Sequence, residues 1–103
     1  MGIINLLFGN KKDRIKAFKA RHAIIIDVRT EHEYSQGAIP ESKNIPLQII
    51  PSKIQDIKNY NKPIITCCAS GIRSANAASI LKASNIEVIN GGGWKSLYSK
   101  LQF

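Results

Sequence analysis

Apolar residues recur along this chain in two rhythms, and the changes of rhythm mark its elements. Residues 10–20 (NKKDRIKAFKA) place Ile15 and Phe18 on one side of a helical turn and Lys or Arg over most of the rest. That predicts a short helix with one buried stripe. Residues 23–28 (AIIIDV) are instead a continuous apolar, β-branched run, the pattern of a strand covered on both faces. Thr30, with Glu33 three residues on, has the spacing of a capping box and opens a turn of helix that Gly37 ends. Residues 44–47 (NIPL) read as a very short extended piece, and Pro51 suits the first turn of a helix running through Ile54 and Ile57 to Tyr60. A second apolar strand covers residues 64–68 (IITCC). A loop at 69–72 and an Ala-rich helix over residues 73–84 follow, with Ala77, Ala78 and Leu81 as the inner face. Asn85 suits the left-handed position that closes this helix. Residues 87–89 predict a third strand, Gly91, Gly92 and Gly93 a sharp turn, and residues 94–101 a last helix.

Strands thus alternate with helices, without repeats, linkers or low-complexity tracts. That order predicts an α/β fold, a mostly parallel central sheet with helices on both faces. Ligands of such sheets sit beyond the carboxyl ends of the strands, and Cys67 and Cys68 stand at that end of the predicted central strand. With 103 residues the chain reads as one small domain. Residues 1–22 are an apolar segment and a basic helix, part of the domain or packed on it, and residues 23–103 are the domain proper.

Charge narrows the partners. A net charge of +8, from 15 Lys and Arg against 7 Asp and Glu, attracts anions. The basic residues are scattered and no aromatic-basic stripe goes with them, so small anions are expected and nucleic acid is not. Residues 1–8 (MGIINLLF) are too short an apolar run to cross a bilayer and lack a signal-peptide pattern. Leu6 stands where a myristoylation signal at Gly2 needs Ser or Thr. The segment is expected to pack on the domain, with an interfacial anchor backed by Lys11, Lys12 and Arg14 as the alternative. Membrane association is not expected.

The candidate chemistry lies in CCASGIRS, residues 67–74. Cys67 and Cys68 are the only cysteines, and neighbouring Cα atoms about 3.8 Å apart make a strained bridge. Reduced thiols, and hence a cytoplasmic location, are the expectation. After the strand, Gly71 allows a tight turn into the helix. Successive N–H groups of residues 69–74 then converge as an anion nest, with Arg73 adding positive charge and Ser70 and Ser74 adding hydrogen-bonding groups. A thiol at such a focus ionises easily, roughly at pKa 3.5–7.5 against about 8.5 when free, and a thiolate is a nucleophile. Counted from Cys68 the arginine follows after four residues, a cradle sized for one sulfur. Counted from Cys67 it follows after five, the spacing of cysteine-dependent phosphatases. Strand alternation turns Cys67 away from Cys68 as a packed thiol, although adjacency would also let it resolve a persulfide.

Residues 68–81 (CASGIRSANAASIL) resemble the active-site loop and helix of the rhodanese family of sulfurtransferases, in register from Cys68 through Gly71, Arg73 and Ser74. Residues 24–47 resemble that family's first strand and the segment after it, through Asp27, Val28, Arg29, Glu33, Tyr34, Gly37, Ile39, Pro40, Asn44, Ile45 and Pro46. NGGGW, residues 90–94, resembles its Gly-Gly segment and aromatic residue. The chain departs at Ala38, where the family usually has His, and at Ala69, where it often has an anion-binding Arg. Trp94 also follows the glycines directly, which shortens a loop near the site.

The resemblance implies a rhodanese-like fold and a Cys68 persulfide. That persulfide would be loaded from a small anionic, thiosulfate-like donor and discharged to cyanide or to a protein or small-molecule thiol. It implies Cys68 as nucleophile and Ala69, Ser70, Gly71, Ile72, Arg73 and Ser74 as the binding loop. Asp27 and Arg29 are framework, with Arg29 expected to pair with Glu33 or a neighbour. No metal or organic cofactor is implied. Two other readings stay open, a sulfur-relay or binding module for a protein partner and a phosphatase working through Cys67. His22 and His32 are expected as surface residues, and Trp94 as core or pocket wall.

Overall fold

A computed structural model describes residues 10–102. The segment 1–8 lies outside the described residues. Helix α1 (Lys11–Ala20) starts at Asn10, whose side chain accepts from the Asp13 N–H. Strand β1 (Ile24–Asp27) leads to α2 (Glu31–Ser35), which is opened by the full capping box of Thr30 and Glu33. The two-residue strand β2 (Lys43–Asn44) precedes a 3-10 helix (Leu47–Lys53) and α3 (Ile54–Asn59). Strand β3 (Ile64–Cys68), α4 (Ile72–Ala83), β4 (Val88–Gly93) and α5 (Trp94–Leu101) complete the order.

The four strands form one parallel sheet in the order β2-β1-β3-β4. Every residue of β3 is buried, as its unbroken apolar run predicts for an inner strand. Side-chain alternation divides the core in two. On one face Ile26, Ile64 and Cys68 pack with Ile57, Ala77 and Leu81 of α3 and α4. On the other Ile65, Cys67 and Ile89 pack with Ile15 of α1 and Leu97 of α5. The small Ala77 and Ala78 let α4 lie close on the sheet, and Asn85, at φ 64°, closes its end.

Two expectations change. Pro51 does not begin an α-helix. It sits inside the 3-10 helix that starts four residues earlier, where a residue without an N–H is tolerated in the short, tight turn. The three glycines are not a turn but the end of β4. Thr66 stands opposite Asn90 and Cys68 opposite Gly93, so β4 has one residue more than β3 over this interval, a β-bulge. Gly92 takes up the extra residue at φ 84°. The bulge lies beside the turn that follows Cys68, and it brings β4 against that loop.

No helix among the described residues is long and apolar enough to cross a membrane.

Candidate active site

Strand β3 ends by aiming the Cys68 side chain at the first turn of α4. The chain then reverses through Ala69 and Ser70 to Gly71, which stands at φ 107°, a conformation that a side chain would strain. A Cβ there would also approach the Gly92 Cα to 3.3 Å. With the turn set this way, the backbone curls around the sulfur. The Gly71 N–H donates to Cys68 Sγ at 3.0 Å and the Ser74 N–H at 3.4 Å, while the Ser74 Oγ stands 3.4 Å away. Burial pushes the Cys68 thiol up. The Ser74 hydroxyl and the N–H groups of Ser74, Gly71 and Ser70 outweigh it and hold the thiol below its ordinary value. Only 1% of the residue is exposed.

Cys67 has the opposite surroundings. It is fully buried among Ile15, Ile65 and Leu97 on the other face of the sheet. Desolvation first, then the nearby Asp27 carboxylate, push its thiol far up, so it stays protonated.

The framework around the loop is ionic. Asp27 and Arg29 form a buried pair, with the Arg29 Nη2 2.7 Å from the Asp27 Oδ2, the Nε 3.0 Å from both carboxylate oxygens, and the Arg29 N–H on Oδ1. The guanidinium also donates to the carbonyls of Gly37 and Glu33, and its carbon lies 4.8 Å from the centre of a Trp94 ring. Arg29 therefore pairs with Asp27 and meets Glu33 only through its carbonyl. The Glu33 carboxylate is taken by Arg73, in a two-pronged pair of 2.8 and 3.0 Å. Arg73 first, and then the Thr30 N–H, hold Glu33 down from 4.5 to about 2.

The rhodanese-like domain family matches residues 11–100. The chain belongs to that family. It is 33% identical over 58 residues to a sulfurtransferase of Allochromatium vinosum, a match that spans 56% of this chain and 53% of that protein. It is 32% identical over 82 residues to a thiosulfate sulfurtransferase of Pseudoalteromonas translucida, over 75% of this chain and 77% of that one. Among solved structures, a rhodanese-like domain protein from Staphylococcus aureus is similar with a TM-score of 0.66 and 36% identity, over 74% of each chain.

In this rhodanese-like site the loop residues named from sequence do not all converge on the sulfur. Ser70, Gly71 and Ser74 face it. Ala69 is exposed, and its carbonyl lies against Gly93, where an added Cβ would stand 2.9 Å away. Ile72 points outward, 73% exposed, and Arg73 turns to Glu33 rather than into the cradle. Trp94 is half-buried and serves as both core and wall. With Arg29, His32, Gln36 and Lys95 it lines a cavity of about 380 Å³.

Two residues were not named as site residues from sequence. Glu33 reads from sequence as a capping residue, a match to the family's first segment and a possible partner of Arg29, not as the partner of Arg73. Asn90 is the other. Its Oδ1 accepts from the Ser74 hydroxyl at 2.6 Å and from the Gly92 N–H at 2.9 Å, and its Nδ2 donates to the Gly71 carbonyl at 3.2 Å. A polar amide directly after the apolar pair Val88 and Ile89 was the available signal.

Proposed function

We propose that the chain is a sulfurtransferase that carries a sulfane sulfur on Cys68. The observation that carries this reading is the ring of N–H donors at 3.0 and 3.4 Å around a thiol held below its ordinary value. The Cys68 thiolate attacks the outer sulfur of a thiosulfate-like donor. A new S–S bond forms to Cys68, the donor's S–S bond breaks, and sulfite leaves with the electron pair. The terminal sulfur of the persulfide is negative, and the same N–H groups stabilise it. An acceptor, cyanide or a thiol, then attacks that sulfur and Cys68 leaves as thiolate. Every step uses groups of this chain and the two substrates.

The test is the mass of the reduced protein and of its peptides after brief exposure to thiosulfate, for wild type, Cys67→Ser and Cys68→Ser. One added sulfur is expected in wild type and Cys67→Ser, and none in Cys68→Ser. No added sulfur in any of the three overturns thiosulfate as donor.

A second reading, delivery to or from a protein thiol, is favoured by the mouth of the loop. Ile72, in the loop that follows the nucleophile, is 73% exposed, and Ala69 leaves no arginine to anchor a small anion. A protein acceptor would cover that isoleucine. Capture of a partner that depends on Cys68 and weakens in Ile72→Glu would support this reading. The phosphatase reading has no such support, because Cys67 is fully buried on the other face.

A further inference from the structure

Asn90 sits one residue removed from the sulfur, and its orientation is fixed by groups that cannot turn round. The Gly92 N–H can only donate, so the atom it meets at 2.9 Å is the amide oxygen. The Gly71 carbonyl can only accept, so the atom 3.2 Å from it is the amide nitrogen. The Ser74 oxygen, 2.6 Å from that amide oxygen, must therefore supply the proton between them. A serine hydroxyl has a single proton. While it points at Asn90, the Ser74 oxygen presents a lone pair to Cys68 Sγ at 3.4 Å and accepts from the thiol. The resting geometry is thus that of a protonated Cys68, and the help that the Ser74 hydroxyl gives the thiolate comes only when its proton turns from Asn90 to the sulfur.

Ionisation reverses the demand. The thiol proton leaves to water, and the thiolate has nothing to give Ser74. It gains instead if the Ser74 hydroxyl turns to donate to it, which means letting go of Asn90. We infer that Asn90 is a positioning residue that competes with the Cys68 sulfur for the single Ser74 hydroxyl proton, and so sets how readily Cys68 ionises. The amide oxygen is not orphaned by the turn, because it keeps the Gly92 N–H. Asn90 stands in register opposite Thr66, and the bulge that follows it in β4 sets Gly92 against Gly71 of the loop.

The other charged groups near the sulfur are accounted for. Arg73 of α4 is paired with Glu33 of α2, and Asp27 and Arg29 at the end of β1 are paired with each other. Cys67, next in β3, is a neutral thiol, and the end of β4 brings only Asn90 and glycines. None of these is altered by a change at Asn90.

The sign of the effect separates this role from a structural one. Asn90→Ala frees the Ser74 proton for the sulfur, so the Cys68 pKa should fall by about half a unit to one unit, the worth of one net hydrogen bond. If Asn90 merely holds the loop, its loss loosens the Gly71 N–H donor and the pKa should rise. The measurement is the pH profile of Cys68 alkylation by iodoacetamide, followed at peptide level, in the full chain. It is repeated in a Ser74→Ala background, where there is no proton to divide and the Asn90 effect should vanish. A rise or no change in Asn90→Ala overturns the inference, as does a fall that persists undiminished without Ser74. If Asn90→Ala does not fold, Asn90→Asp decides. Its carboxylate holds the Ser74 proton more firmly and should raise the pKa more with Ser74 present than without it, and equal rises or none overturn the inference. The readout is ionisation of Cys68, so it is independent of whether thiosulfate proves to be the donor.

Discussion

Removal of Asp27 should be the most damaging single change at the site, although Asp27 does not touch the sulfur. Its carboxylate is fully buried and holds an Arg29 side chain that is only 6% exposed. Asp27→Ala leaves that guanidinium charged, because arginine does not give up its proton in proteins. The carbonyls of Gly37 and Glu33 remain as partners, but the contacts at 2.7 and 3.0 Å to the carboxylate are lost. Stranding one member of a buried pair costs about 3–5 kcal/mol. Small domains total about 5–15 kcal/mol, so this is a large share. At about 4–8 °C per kcal/mol for a domain of this size, Tm should fall by roughly 12–40 °C. The assay is urea unfolding of wild type, Asp27→Ala, Arg29→Leu and the double variant. The double variant removes both charges and should be less damaged than the sum of the singles. A cost below about 1 kcal/mol for Asp27→Ala, or strict additivity, would refute the reasoning.

Two further outcomes follow from the geometry. Glu33 is depressed by Arg73, so the advantage their pair confers is full above the ordinary carboxylate value of 4.5 and is lost as pH falls through about 2. The Glu33 carboxyl followed by NMR should titrate near 2 in wild type and move up toward 4.5 in Arg73→Gln, and an unmoved titration would remove Arg73 as the cause. At Gly91 a new Cβ would stand 2.8 Å from Ile65 Cγ2 and Leu97 Cδ2 and 2.9 Å from the Thr66 carbonyl oxygen. Gly91→Ala should therefore cost about 1–3 kcal/mol by overpacking, seen as a lower urea midpoint. An unchanged midpoint would mean that β4 does not approach β3 this closely.

What the sequence disclosed depended on the range of the interaction involved. The inner strand β3 was legible because burial on both faces demands an unbroken apolar run, which residues 64–68 supply. The cap of α2 was legible because Thr30 and Glu33 are three residues apart. The loop around Cys68 was legible in part, since of its consecutive N–H groups those of Ser70, Gly71 and Ser74 turn to the sulfur. The partner of Glu33 was not, since Arg73 is forty residues away and the choice between Arg73 and Arg29 is made by the sheet. The glycines were misread for a related reason. In sequence, glycine marks a turn, but at Gly91 what it provides is room for a neighbouring strand. Asn90 was not legible as a site residue because its partners Gly71 and Ser74 lie nineteen and sixteen residues away and meet it only across the sheet.

The two cysteines are neighbours in the chain and strangers in the fold. One thiol faces the α4 side of β3 and the other the α1 and α5 side. If peroxide oxidised Cys68 to a sulfenic acid, Cys67 would have to leave its packing against Ile15 and Leu97 to close a disulfide with it. No such closure is expected while the sheet is intact. The oxidised sulfur would wait for a thiol from outside, glutathione for example, or would go on to the irreversible sulfinic acid. Strand alternation, which keeps the two thiols apart, also leaves the protein without a rescue of its own against oxidants.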